Sequence, residues 1–386
     1  MSELHLKAFS NVHSHAFQRA LRGRVQSKDP SRKDTFWTWR QAMYTLANEL
    51  KHEEIESIAR LCYMECLEAG YTAVGEFHYL HHAPDGSYWD DPLQTSRSIT
   101  RAARDVGIRL NLLWTVYARG GFSKPLEDAQ RRFKSHDLDH VRRSLDALQA
   151  LYEEQRIHVG LALHSVRAVP EDWLGPLCDE ARSRGFKIHA HVSEQILENE
   201  ACIQATGMSP IRLLSKHGVL GPDFTAIHAT WIDDVDLALL RDTNSLVGIC
   251  PTTEGDLGDG VPRTADLHAH GVKLCIGSDS HAVIDPFCEL RMLEYQARAR
   301  TQSRCVLADE QGDVAPVLER IGSDYGRVSL GFQEAKDMIE IDSDATLIKG
   351  SVNRKETALM SGHPGMIRRV QIDGCDVVRD GRHVLR

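Results

Sequence analysis

Residues 173–194 read WLGPLCDEARSRGFKIHAHVSE, and three patterns follow one another within them. Apolar residues recur at helical spacing over 173–184, Gly185 stands where a helix stops, and 186–192 is a short apolar run closed by histidines. His191 and Glu194 then fall where that run ends. A helix, a glycine stop, a buried strand and polar groups at the end of the strand make up one unit of a βα repeat.

The unit recurs along the chain. Apolar runs of strand length lie at 6–12, 71–77, 108–116, 158–163, 186–192, 224–229, 245–250 and 273–277. Helical spacing separates them, as at 52–69, 138–154, 173–184 and 235–242, and Gly70 marks another stop. Eight alternations predict an α/β fold, a (β/α)8 TIM-like barrel. From about Gly331 the pattern changes to short alternating segments at 338–341, 346–349, 366–372 and 377–378, separated by Gly and Asp turns. The expected organisation is therefore a barrel over 1–330 and a small β appendage over 331–386.

Composition narrows the function. The chain has 386 residues, 46 Lys plus Arg against 55 Asp plus Glu, and a net charge of −9, the wrong balance for a nucleic-acid binder. No window reaches the 18 apolar residues a membrane helix needs, and residues 1–9 lack a charged start followed by an apolar run, so a cytoplasmic protein is expected. Nine scattered cysteines without a C-x-x-C pair argue against a disulfide framework and a cysteine-based zinc site. The unusual count is histidine, at 20.

In a (β/α)8 barrel the active site is built where strands end and the following loops begin. His13 and His15 follow the first run, Glu76 and His78 the second, His164 and Arg167 the fourth, His191 and Glu194 the fifth, His228 the sixth, and Asp279 with His281 the eighth. Alternate residues of a strand share a face, so His13 and His15 can converge on one cation, and neutral imidazole suits Zn²⁺ or Fe²⁺. In "HAHVSE", His191 is a candidate ligand and Glu194 a candidate proton shuttle. His189 lies one step deeper and reads equally well as a hydrogen-bonded core residue. His268 and His270 precede the eighth run, at the opposite end from the site.

The series "NVHSHAFQRAL", "HAHVSEQ", "AIHAT" and "GSDSH" resembles the amidohydrolase superfamily, in its branch with one metal ion and no bridging modified lysine. Within it, "DTFWTWRQAMY", "EFHYLHH", "LALHSVRAVP" and "CPTTEGDLGDG" resemble the formimidoylglutamate deiminases of histidine degradation. The likeness runs from about residue 10 to 300, with weaker echoes to "VVRDGRH".

The resemblance implies one Zn²⁺ per chain held by His13, His15, His191 and Asp279, a ligand set that Fe²⁺ and Mn²⁺ share. Three imidazoles and one carboxylate leave a positive site that lowers the pKa of water to about 7. Asp279 is then expected to take the water proton, His228 to steady the tetrahedral centre, and Glu194 to protonate the departing nitrogen, giving N-formyl-L-glutamate and ammonia. Guanidinium groups pair with carboxylates, so Arg167 and Arg40 are expected at the dicarboxylate end of the small-molecule substrate, with Gln18, Tyr79 and His164 beside them. Trp37 and Trp39 read as lid or core packing. The alternatives are another metal-dependent deaminase of an amidine, guanidine or nitrogen heterocycle, and a non-catalytic relative. A homodimer is the expected assembly. Only about a dozen residues precede the metal motif, whereas the family places a β segment there that joins the C-terminal strands. The appendage is therefore expected to be incomplete, with an open strand edge.

Overall fold

A computed structural model describes residues 3–28, 30–31, 33–150 and 156–385. Eight parallel strands pair in sequence order to form the barrel: β2 (Phe9–Ser14), β3 (Tyr71–His78), β4 (Arg109–Val116), β5 (Ile157–Leu163), β6 (Ile188–Val192), β7 (Phe224–His228), β8 (Leu246–Ile249) and β9 (Lys273–Ile276). A second, antiparallel sheet orders β1 (Leu4–Lys7), β10 (Met338–Ile341), β11 (Ile367–Ile372), β12 (Cys375–Arg379) and β13 (Arg382–His383). Most residues of the barrel strands are buried, because parallel strands are covered on both faces. The expected helices are present, among them His52–Glu68, Glu171–Ser183 and Asp234–Asp242. The helix beginning at Leu138 runs to Gln149, and the end of the expected span, 151–154, lies outside the described residues.

Two expectations are corrected. The run 6–12 is not one strand: Ala8 N–H donates to the Asp337 carbonyl and Phe9 N–H to the Gly70 carbonyl, so consecutive amides serve different sheets. β1 pairs antiparallel with β10, Leu6 opposite Ile339, and the short N-terminal stretch thus supplies a strand to the appended sheet. Its outer edge has no strand partner among the described residues. The segment 346–349 is not a strand either. Ile348 N–H and Lys349 N–H both bond the Ala345 carbonyl, which makes a turn ahead of the helix Arg354–Ser361.

The floor of the barrel is plugged by Tyr325–Leu330. Asn111 Nδ2 donates to the Leu330 carbonyl at 3.0 Å, and the ring of His189 bonds the Ser329 carbonyl at 3.2 Å. His189 is accordingly a core residue below the site. His268 bonds the Ala308 carbonyl on the outside, also away from it. Among the described residues no helix is long and apolar enough to cross a membrane.

The joint between barrel and appended sheet is ionic. Arg109, at the start of β4, makes a bidentate contact with Asp337 at 2.8 and 3.0 Å, both side chains almost fully buried, and reaches the half-exposed Asp373 as well. Removing one partner of a buried pair strands the other charge. Asp337→Ala is expected to destabilise the protein by about 3 kcal/mol, the low end for such a loss because Asp373 remains. Urea unfolding of the variant checks this.

Candidate active site

The seam of the barrel also gathers the candidate site residues. Asp279 N–H donates to the His13 carbonyl at 2.9 Å and His15 N–H to the Asp279 carbonyl at 3.0 Å, which joins the end of β9 to β2. Gly277 permits that approach, since a Cβ there would lie 2.9 Å from His13 Cβ and 3.0 Å from Cys250 Sγ. Non-glycine residues take left-handed backbone at three strand ends, Ser193 at φ 53°, His228 at 72° and Asp279 at 44°. Strain of this kind persists where surrounding structure imposes it, and it marks functional sites.

Three imidazoles and a carboxylate converge at the seam. His13 Nε2 lies 3.1 Å from His191 Nε2, His15 Nε2 lies 3.3 Å from His191 Nε2, and Asp279 Oδ1 is 3.3 and 3.5 Å from His13 and His15 Nε2. The tautomers of two rings follow from their other nitrogens. His15 Nδ1 donates to the Phe77 carbonyl at 2.9 Å and His191 Nδ1 to the His164 carbonyl at 2.8 Å. A carbonyl only accepts, so both Nδ1 carry the proton and both Nε2 present lone pairs. Burial keeps the rings neutral: it pushes His13 and His191 well down, helped by the surrounding imidazoles, and holds His15 at about 3. The lone pairs of His15 and His191 face one another at 3.3 Å and repel unless a cation lies between them, and three imidazoles gathered about one carboxylate oxygen suit a divalent transition metal. The residues fit a metal.

His228 and Glu194 stand beside this cluster. His228 Nε2 is 3.7 Å from Glu194 Oε1 and 3.9 Å from Asp279 Oδ2, while its Nδ1 bonds the fully buried Glu254 carboxylate at 3.2 Å. Burial alone would lower the His228 pKa, but Glu194, Glu254 and Asp279 overcome it and raise it to about 10. Burial raises the Glu194 carboxyl to about 7, with Asp279 and Glu198 adding to the rise and His228 opposing it.

Gln18, Arg40, Tyr79, His164 and Arg167 all line one cavity together with His15, His191, Glu194 and Asp279. Neither the Arg40 nor the Arg167 guanidinium has a carboxylate within salt-bridge distance among the described residues. Arg40 stacks over the Trp37 ring at 4.4 Å, and Trp39, expected as lid or core packing, is part of the cavity wall.

Three strand-end residues expected near the site turn away from the cavity. His78 donates to Thr95 Oγ1 at 3.0 Å in the core. Glu76 and His281 form a layer behind the ligands: the Ser14 hydroxyl donates to Glu76, and His281 bonds Ser14 Oγ at 2.9 Å and Ser278 Oγ at 2.9 Å. Glu254, Tyr44 and Tyr117 are site residues that the strand-end rule does not single out. Glu254 and Tyr44 lie inside quoted family motifs, the one signal that could have found them; Tyr117 directly follows the β4 run, where extending the strand-end rule to the third run would have found it.

The sequence matches the amidohydrolase family over residues 8–349. It is 35% identical to formimidoylglutamate deiminase of Pseudomonas aeruginosa, over 98% of this chain and 85% of that protein. It is 23% identical to 5-methylthioadenosine/S-adenosylhomocysteine deaminase of Thermodesulfovibrio yellowstonii, over 98% and 81%. Among solved structures, an amidohydrolase from Brucella melitensis superposes with a TM-score of 0.90 at 32% identity, covering 99% of this chain and 86% of that one. An adenosine deaminase from Xanthomonas campestris, solved with bound zinc, superposes at 0.83 with 18% identity, covering 99% and 82%, and shares the fold. With eight parallel strands, a buried histidine and carboxylate cluster at their ends and this match across most of its length, the chain belongs to the amidohydrolase family and is a hydrolase acting on a carbon–nitrogen bond.

Proposed function

We propose that the protein hydrolyses N-formimidoyl-L-glutamate to N-formyl-L-glutamate and ammonia, with one zinc ion held by His13, His15, His191 and Asp279. One observation carries the substrate: two guanidinium groups unpaired with any described carboxylate, Arg40 and Arg167, line the cavity that ends at the imidazole cluster. Cationic walls of this kind suit a small dicarboxylate whose amidine end faces the cluster. The 35% identity to the Pseudomonas aeruginosa deiminase supports the same substrate.

Bound in the cluster, a divalent cation supplies Lewis acidity, which lets water act as a nucleophile near neutral pH. Asp279 Oδ2 is turned toward His228 and takes the proton of the attacking water. His228, protonated between three carboxylates, donates from Nε2 to the oxygen that develops at the tetrahedral carbon. Glu194 holds a proton near neutral pH and gives it to the amidine nitrogen as the hydroxyl adds to the carbon; on collapse Glu194 takes back the proton of that hydroxyl as the carbonyl forms, and the proton held by Asp279 passes to the nitrogen, which leaves as ammonia. Gln18 Oε1, buried and without a hydrogen-bond partner among the described residues, is available to accept an N–H of the amidine.

Ammonia release from a panel of formimidoyl, guanidino and heterocyclic substrates tests the reading. Turnover of a heterocycle with none of N-formimidoyl-L-glutamate overturns it. Elemental analysis of the purified active protein is expected to give one tightly bound divalent metal per chain, and chelation to abolish turnover while the far-ultraviolet circular dichroism changes little. Glu194→Gln is expected to keep its metal and lose turnover by roughly 10² to 10⁴, the usual worth of a positioned acid–base group. Metal-loaded Glu194→Gln with normal kcat removes that role. Arg167→Met is expected to cost about 2 to 5 kcal/mol in kcat/KM for the dicarboxylate, and far less for a formamidine without carboxylates. Equal losses on the two substrates assign Arg167 to general support of the site.

A further inference from the structure

The wall of the cavity also contains two buried phenols, Tyr44 and Tyr117, whose hydroxyls share one partner. That partner is Gln130, 1% exposed, in the short 3₁₀ helix Asp128–Phe133. Glu127 N–H donates to Gln130 Oε1 at 2.9 Å, which fixes the opposite end of the side chain as the amide nitrogen. Gln130 Nε2 then donates to Tyr117 Oη at 2.9 Å and to Tyr44 Oη at 3.1 Å.

Both of its hydrogens are thereby spent on phenol oxygens, and each phenol must direct its own O–H elsewhere. The two oxygens are 3.4 Å apart, so at most one can donate to the other. The remaining O–H has no acceptor among the described residues, and a buried donor left unmade is costly. The same cavity carries Arg40, whose buried Nε also has no partner among the described residues, and Arg167. Arg40, Arg167 and the remaining phenol O–H all present donors on this wall. A carboxylate, with about four lone-pair sites and no hydrogen, matches such a wall; a carboxamide would set its own N–H groups against it.

We propose that Gln130 is a positioning residue that turns the Tyr44 and Tyr117 hydroxyls into donors, completing with Arg40 and Arg167 a subsite for one carboxylate of the substrate. The proposal rests on the reading of the substrate as a dicarboxylate amidine. It adds a specificity: N-formimidoyl-L-glutamate is preferred over its carboxamide analogues.

Gln130→Glu tests it with almost no change of shape. A carboxylate there accepts from both phenols, draws their O–H groups away from the cavity and reverses the device. The expected result is a rise of about tenfold or more in KM for N-formimidoyl-L-glutamate with kcat changed by less than about threefold, the size expected for losing a hydrogen bond to a charged group. The fall in kcat/KM on this substrate should exceed that on a carboxylate-free N-alkylformamidine by about tenfold. Tyr117→Phe and Tyr44→Phe keep the rings and should show the same split in smaller steps, which decides the matter if Gln130→Glu does not fold. An unchanged KM in both Phe variants, or equal losses on both substrates, overturns the proposal. Should the wild-type holoenzyme show no turnover of N-formimidoyl-L-glutamate, the substrate reading fails separately, and calorimetry with glutarate then judges the subsite: weaker binding to Tyr117→Phe supports it, and equal binding overturns it.

Discussion

Two backbone hydrogen bonds at the seam, from Asp279 N–H to the His13 carbonyl and from His15 N–H to the Asp279 carbonyl, close the barrel and set three of its four proposed ligands in one act. Any displacement of β9 against β2 would open the cylinder and separate the carboxylate from the imidazoles together. The close fit of Gly277 to His13 and the left-handed backbone of Asp279 are both consequences of this junction. His191 arrives from the far side of the barrel, and the carbonyls of Phe77 and His164 orient the rings of His15 and His191. The backbone at the ends of two other strands thus decides which nitrogen each of these two rings offers.

The same constraint explains the distribution of charge. Neutral imidazoles are gathered at the seam, carboxylates surround His228, and guanidinium and phenol donors form the other wall of the cavity. His228 is raised and the cluster histidines are lowered although all are buried, because Glu194, Glu254 and Asp279 face His228 while the others chiefly face each other. Burial lowers every one of these histidines, and only at His228 do the facing carboxylates reverse the sign.

Glu194 sits on a loop that is tied at several points. Trp231 N–H donates to the Ser193 carbonyl at 3.0 Å, Trp231 Nε1 donates to the Asp259 carbonyl at 2.9 Å, and Gln195 bonds the Asp259 carboxyl. Loops following β6, β7 and β8 are joined into one ring of hydrogen bonds, which holds the proposed proton carrier in place without rigid secondary structure.

The barrel and the chemistry at its strand ends were legible because their signals are short-range. Helix, glycine stop, apolar run and terminal histidine fall within about twenty residues, and H-x-H, H-x-x-E and S-D-S-H each place their groups within a single strand end. Other features had no local pattern to betray them. The break at Ala8 between two sheets depends on an acceptor at Asp337, the turn at 346–349 has the alternation of a strand without a neighbour to pair with, and His78 and Glu76 differ in role through partners on other elements. Glu254 meets His228 across 26 residues, and Gln130 reaches Tyr44 across 86. Which polar groups line the cavity and which support it from behind follows from hydrogen-bond partners that meet when the loops of the barrel close over its mouth, and pairings over such distances leave no period in the chain.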